Sequence, residues 1–202
     1  MGAEHVTTLL DWKRRVFALY ARIRSAAEPA EAWAQWRDTR NAMFARHPQS
    51  PVPTEQRTQD FELPLFDYDA GMRATGRIDD APPEHYEIPT SGQETMAFTR
   101  FATVSFSLRN HELSLELYWL EGYGGGLFLP FRDATSGRAS YGAGRYLLDT
   151  VKGADLGMDG DRLVLDFNFA YNPSCAYDPR WVCPLAPPPN RLDVAIEAGE
   201  RI

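Results

Sequence analysis

Thr95-Met96-Ala97-Phe98-Thr99-Arg100-Phe101-Ala102-Thr103-Val104-Ser105-Phe106-Ser107-Leu108-Arg109-Asn110-His111-Glu112-Leu113-Ser114-Leu115-Glu116-Leu117-Tyr118-Trp119 is two alternating runs about a polar break. Ala102, Val104, Phe106 and Leu108 take every second position of the first run. Leu113, Leu115, Leu117 and Trp119 do the same in the second. A period of two places each set on one face of a strand. Arg109-Asn110-His111-Glu112 is the turn between them, so the stretch predicts a β-hairpin whose register is held by its apolar face.

Outward from this hairpin the pattern stays that of strands. Residues 61–68, 72–78 and 86–88 precede it, and 127–131, 145–151 and 162–171 follow, with 192–196 as a last short strand. Gly, Pro and Asp punctuate them, and no helical periodicity is interleaved. The expected class is mainly β (α+β): an antiparallel β-barrel or sandwich. An N-terminal α-helical hairpin precedes it. Leu9, Trp12, Val16, Tyr20 and Ile23 recur at steps of three and four, with Thr8 as the expected cap and Arg24 near the end. Pro29 suits the first turn of a second helix, in which Trp33, Trp36, Arg40, Met43 and Phe44 share a face. That helix ends before Pro48, because a residue preceding proline avoids helical geometry. The expected organisation is a helical hairpin over residues 1–49, a polar linker from Ser50 to Gln59, and an antiparallel β domain over 60–202, acting as one domain. The proline-rich run from Pro184 to Pro189 reads as an extended loop lying on the sheet.

Composition narrows the function classes. A net charge of −7 without a Lys/Arg run excludes a nucleic-acid partner from the expectation. No apolar run approaches the roughly 18 residues of a membrane span, and the start lacks a basic segment followed by an apolar one. The chain reads as soluble and cytoplasmic, with two cysteines that default to free thiols in a reducing compartment.

Polar residue types concentrate in the last third. On the strand expected over 162–171, Leu163, Leu165, Phe167, Phe169 and Tyr171 face the core; Asp166, Asn168, Ala170 and Asn172 face the other way. That second face is either solvated or the polar floor of a pocket, since Asn amides both donate and accept. Arg145 follows Gly142-Ala143-Gly144, a bend entering a strand rather than a phosphate loop, because no Gly-Lys-Ser or Gly-Lys-Thr ending is present. Its guanidinium either grips a ligand anion or pairs internally with Asp133, Asp166 or Glu200. Cys175 and Cys183 are separated by seven residues, a spacing that fits neither a zinc pair nor a CxxC redox motif. They read as free thiols, as a local disulfide, or, for Cys175, as a nucleophile needing a basic partner. Asn190 follows three prolines, where its amide can bond neighbouring backbone. Glu197 and Glu200 are a carboxylate pair read as solvated.

The composite of Asp133-Ala134-Thr135-Ser136-Gly137, Tyr141-Gly142-Ala143-Gly144-Arg145-Tyr146, Asp166-Phe167-Asn168, Tyr171-Asn172-Pro173-Ser174-Cys175-Ala176-Tyr177 and Cys183-Pro184-Leu185 resembles an uncharacterised bacterial family. That family is catalogued as a domain of unknown function, number sixteen eighty-four. Trp36-Arg37, Arg40, Phe44 and His47-Pro48-Gln49-Ser50-Pro51 extend the likeness from about Trp33 to the end. The resemblance implies a bacterial cytosolic protein and brings no catalytic residues.

Two functional readings follow from the residues themselves. In the first, Arg145, Asn168, Tyr171, Asn172 and Asn190 bind a small polar or anionic ligand. Asp166 then serves as general base and Cys175 as a second catalytic candidate, with no metal and no cofactor motif. In the second, the same residues pin the C-terminal loop to the sheet, and the tryptophan-rich hairpin docks a partner or a second copy as a homodimer. A third expectation, redox or metal sensing, rests on the cysteine pair.

Overall fold

The computed structural model describes residues 2–58 and 60–202; Met1 and the linker's last residue, Gln59, lie outside the described residues. Helix α1 spans Ala3–Ser25 and α2 spans Pro29–Arg46. The first begins ahead of the expected Thr8 cap. Thr7 and Thr8 hydroxyls instead donate to the Glu4 carbonyl at 3.0 Å, serving within the first turns. Pro29 opens α2, where its missing N–H costs nothing, and His47 ends it. Trp33, Trp36, Met43 and Phe44 are buried along α2, and Trp36 Nε1 donates to Tyr20 Oη of α1 at 3.1 Å.

Among the described residues, seven strands form one antiparallel sheet: β1 Arg73–Pro89, β2 Thr95–Leu108, β3 His111–Leu120, β4 Leu127–Phe131, β5 Arg145–Asp149, β6 Met158–Asp159 and β7 Arg162–Asp166. Their order is β5-β4-β3-β2-β1-β7-β6. The ladder has two ends, so the expected barrel or sandwich resolves into a single open sheet. Beyond β7, however, Tyr171 and Tyr146 of β5 exchange two backbone hydrogen bonds at 2.9 and 3.0 Å, which draws the far end of the sheet back on itself. The mainly β, α+β class with two helices first is what the chain forms.

The hairpin is β2–β3, with Val104 opposite Leu115 and Phe106 opposite Leu113. Its turn is tighter than the expected four residues. Arg109 and Asn110 alone make it, both with positive φ, the backbone of a type I′ turn. The expected alternation breaks near the other end. Ala102 pairs with Leu117 but Arg100 pairs with Tyr118, which leaves Phe101 as a bulge. Past the bulge the inward and outward sets exchange. Tyr118 is fully buried and Trp119 is 48% exposed, the reverse of the period-two expectation. On its other edge, β1 carries Ala81-Pro82-Pro83 between paired residues Asp80 and Glu84, so the expected strands 72–78 and 86–88 are one long irregular strand.

Three expected strands are not formed as such. Residues 61–68 and 192–196 run as loops; Leu65 of the first makes an isolated bridge to Glu200, and Arg191, just ahead of the second, bridges to Arg132. The strand expected over 162–171 stops at Asp166 and turns through a 3-10 helix at Phe167–Phe169. The expected linker is tied down: Ser50 Oγ donates to the Phe44 carbonyl at 2.7 Å, and Arg57 Nε to the Val52 carbonyl at 2.7 Å.

A main core joins Leu19, Tyr20, Trp33 and Trp36 of the helices to Val104, Leu117, Leu165 and Phe167 below them. A second cluster holds Ile88, Phe98, Tyr118, Phe128 and Tyr146. The proline-rich run crosses near it, with Leu185 N–H donating to the Pro89 carbonyl at 2.9 Å and Tyr146 Oη to the Pro184 carbonyl. Among the described residues no helix is long and apolar enough to cross a membrane.

Candidate functional site

Arg145 opens β5 after Gly144, whose φ of +101° and contact with the Phe131 carbonyl leave no room for a side chain. The guanidinium is 1% exposed. Its Nη2 donates to Asp133 Oδ2 at 2.7 Å and to the Ile196 carbonyl at 2.8 Å; its Nη1 donates to the carbonyls of Ala198 and Glu200. Burial pushes its pKa down, and Asp133 counters that. Both terminal nitrogens are therefore spent on the protein, and they gather the segment 196–200 against the sheet.

Asn168 and Asn190 are satisfied in the same way. Asn168 Nδ2 donates to the Asp69 carbonyl and Asp166 Oδ1 at 2.8 Å, while its Oδ1 accepts from Asp69 N–H at 2.9 Å. Its backbone carbonyl accepts from Trp33 Nε1 at 3.0 Å. Asn190 Oδ1 accepts from Glu116 N–H at 2.8 Å, and its Nδ2 donates to the carbonyls of Glu116 and Pro130. Each amide stands in for a strand neighbour. The 3-10 turn after Asp166 buries Phe167, Asn168 and Phe169 together, so the two-faced strand expected there does not exist. Asp166 is 2% exposed; burial raises its pKa, while Asn168 and Arg73, with Nε 3.8 Å away, work the other way.

The expected convergence of Arg145 with Asp166 is not what the fold produces. Arg145 serves the C-terminal segment, and Asp166 borders a separate 270 Å³ groove with Ile23, Arg24 and Arg73. The carboxylate at the centre of another network is Glu200, whose side chain is fully buried. Arg40 of α2 pairs with its Oε1; Asn172 N–H donates to its Oε2 at 2.7 Å, and Tyr177 Oη donates to the same oxygen. Gly199, with φ of +74° and the Ala170 carbonyl where a Cβ would lie, lets this segment pass close enough. Arg40 also lies over the rings of Trp36, Phe44 and Tyr171 at 4.9, 4.7 and 5.0 Å.

This network borders an 80 Å³ cavity between α1, α2 and the chain beyond β7, lined by Tyr20, Arg40, Lys152, Tyr171, Asn172 and Tyr177 among others. Arg40 Nε and Asn172 Oδ1 are buried without hydrogen-bond partners among the described residues. Such atoms are rare in folded proteins and mark a place where water or a ligand belongs. Burial pushes Tyr20 up to about 12 and raises Tyr171 and Tyr177 well above the ordinary phenol value, so all three phenols remain protonated. Lys152, whose side chain is more than half exposed, pairs with Asp149 Oδ2 at 3.3 Å. A larger groove of 910 Å³ runs between α1 and α2 past Asp11, Arg15 and Arg46, yet it is open and its lining is mostly solvated.

Of the expected site residues, Tyr171 and Asn172 meet at the small cavity, with Cys175 nearby in sequence. Arg40, Glu200 and Lys152 were not expected there. Arg40 did carry a signal: a charge set in the apolar stripe of α2 must find a buried partner. Glu200, expected either solvated beside Glu197 or paired with Arg145, is instead the buried partner of Arg40. Cys175 Sγ lies 3.8 Å from Tyr141 Oη, and both thiols are free. Among the described residues no three His, Cys, Asp or Glu side chains gather as metal ligands.

An open antiparallel sheet, a helical hairpin packed on it and an internal arginine–carboxylate network define an α+β protein with a small cavity lined by both polar and aromatic side chains. The chain belongs to the family described as "Protein of unknown function (DUF1684)", whose model matches residues 59–201. It is similar to the solution NMR structure of the uncharacterized protein from gene locus rrnAC0354 of Haloarcula marismortui, with 36% identity and a TM-score of 0.61. The match covers 88% of this chain and 98% of that one. That neighbour is archaeal, so the likeness reaches beyond the bacteria implied by the sequence motifs. No functionally curated protein matches.

Proposed function

We propose that this protein binds a small polar ligand in the cavity bordered by Arg40 and Asn172. The observation that carries the reading is a pair of buried atoms without partners among the described residues, on two residues that line the cavity: a donor, Arg40 Nε, and an acceptor, Asn172 Oδ1. A ligand that presents one acceptor and one donor satisfies both. The formal charges nearby already cancel, Arg40 against Glu200 and Lys152 against Asp149, which favours a neutral or singly charged molecule such as a hydroxy acid or amide over a polyanion. The 80 Å³ volume restricts the occupant to a few heavy atoms. Arg145, Asn168 and Asn190 then act as structural pins, which keeps the second sequence-based reading for those residues. Two unbridged thiols suit a reducing compartment such as the cytoplasm.

The test is a melting screen of small hydroxy acids and amides against the wild type and Asn172→Leu. The leucine keeps the branched outline of the asparagine, though it is bulkier, and removes the orphaned acceptor at the cost of one long 3.4 Å bond to the Arg201 carbonyl. The expected result is a ligand that stabilises the wild type and not the variant. A wild type that no member of the set stabilises would overturn the reading.

A further inference from the structure

Asp166 commits only one of its two oxygens to the protein. Its Oδ1 accepts from the Asn168 backbone N–H at 3.1 Å and from Asn168 Nδ2 at 2.8 Å. Its Oδ2 accepts no hydrogen bond among the described residues, although the side chain is 3% exposed. The neighbouring cation is Arg73 Nε at 3.8 Å, too far for a hydrogen bond. Arg73 lies opposite Asp166 in the β1–β7 ladder. Its guanidinium is 35% exposed and makes no hydrogen bond among the described residues. A carboxylate and a guanidinium held just out of contact thus leave an acceptor and a fork of donors on one groove.

The groove has a volume of 270 Å³. Ile23, Leu156, Val164 and Phe169, all buried, supply its apolar wall. Arg24 lines it too, with its stem against Gly157, but Asp155 already holds its Nη1 through a carbonyl at 2.7 Å and a carboxylate at 3.3 Å. Pro29 brings the start of α2 to the same groove, and that helix has no side-chain cap, so its positive end adds to the pull on an anion. With Asp159 exposed on the rim, the lining carries two carboxylates and two guanidiniums. Such a lining has no net charge to offer a simple cation or anion; it complements a ligand that carries both signs.

We propose that this groove binds an α-amino acid with an apolar side chain, its ammonium on Asp166 Oδ2 and its carboxylate on the Arg73 guanidinium. Burial deprives Asp166 of hydration, and an ammonium supplies the donor that its Oδ2 lacks. The planar fork of Arg73 suits a carboxylate. In an α-amino acid both groups hang on one carbon, which matches an acceptor and a guanidinium that are close neighbours. The side chain then lies against Leu156 and Val164. The groove shares no lining residue with the Arg40 cavity, so the two sites are tested separately.

The experiment follows amide NMR spectra of the full chain during titration with L-leucine, with N-acetyl-L-leucine, which lacks the ammonium, and with isoamylamine, which lacks the carboxylate. L-Leucine should give saturable shifts at the backbone amides of Arg73, Leu156 and Val164. Each analogue should bind about tenfold more weakly or worse, since each leaves one charged group of the groove unpaired. Arg73→Gln and Asp166→Asn should each weaken L-leucine by a similar factor, whereas Asn172→Leu, in the other cavity, should bind it as the wild type does. A wild type without saturable shifts at millimolar L-leucine would overturn the proposal. So would an N-acetyl form that binds as tightly as the free amino acid, or wild-type affinity in both groove variants. Each variant's own spectrum reports whether it is folded, and the analogue series on the wild type decides the matter without them.

Discussion

Arg145 and Asp133 lie 2.7 Å apart, each side chain 1% exposed. Neither charge reaches water, and the arginine is shared with carbonyls 51 to 55 residues further along the chain. Removing one partner strands the other. Arg145→Met should therefore cost about 3–5 kcal/mol in chemical denaturation. The double variant Arg145→Met, Asp133→Leu should recover part of that loss; a single variant that melts with the wild type would contradict the clamp.

Asp166 tests a carboxylate that burial holds against its charge. Its folded pKa is raised, so the folded state holds this proton more tightly than the unfolded chain does. The resulting cost is absent in acid, below the ordinary carboxylate pKa, and fully felt once pH exceeds the raised value. Asp166→Asn keeps an oxygen for the Asn168 bonds, and it should melt a few degrees higher than the wild type at pH 7. The gap should close as pH falls, read from melting curves across that range.

The bulge at Phe101 makes a sharper prediction about shape. Phe101 is 36% exposed, so Phe101→Ala should cost about 1 kcal/mol or less. Deleting the residue removes the register shift between Arg100 and Ala102 and drives Trp119 inward and Tyr118 outward. The deletion variant should fail to give a dispersed amide NMR spectrum, whereas Phe101→Ala should retain one.

Alkylation of Cys175 by iodoacetamide should follow a titration with a midpoint near about 6, since only the thiolate reacts. Reactivity is lost below that pH and level above it. In Cys183→Ala the donor that most lowers it is lost, and the midpoint should move toward the ordinary thiol range. Equal midpoints for Cys175 and free cysteine would refute the lowered pKa.

The hairpin was legible because alternation at period two is a local property of the chain, and Ala102 through Leu117 obey it. Trp119 was not, because its orientation depends on a residue inserted in the opposite strand. Helix α2 was legible to its last turn, since Pro29 and Pro48 mark its limits independently of packing. The polar residues of the last third were correctly singled out as unusual. Their use was not legible: Asn168 and Asn190 are satisfied by backbone groups 99 and 74 residues away, pairings that no spacing encodes. The orphaned donor of Arg40 becomes visible only once Glu200 is seen to take Nη2 and leave Nε without a partner among the described residues.

The Arg40–Glu200 pairing spans 160 residues, and it has a consequence for biosynthesis. As the nascent chain leaves the ribosome, two guanidiniums emerge long before the backbone and carboxylate that neutralise them. Vectorial, piecewise folding of the sheet would have to bury both cations bare. The chain is thus committed to a late, concerted closure, with a long interval in which it depends on being shielded from its neighbours.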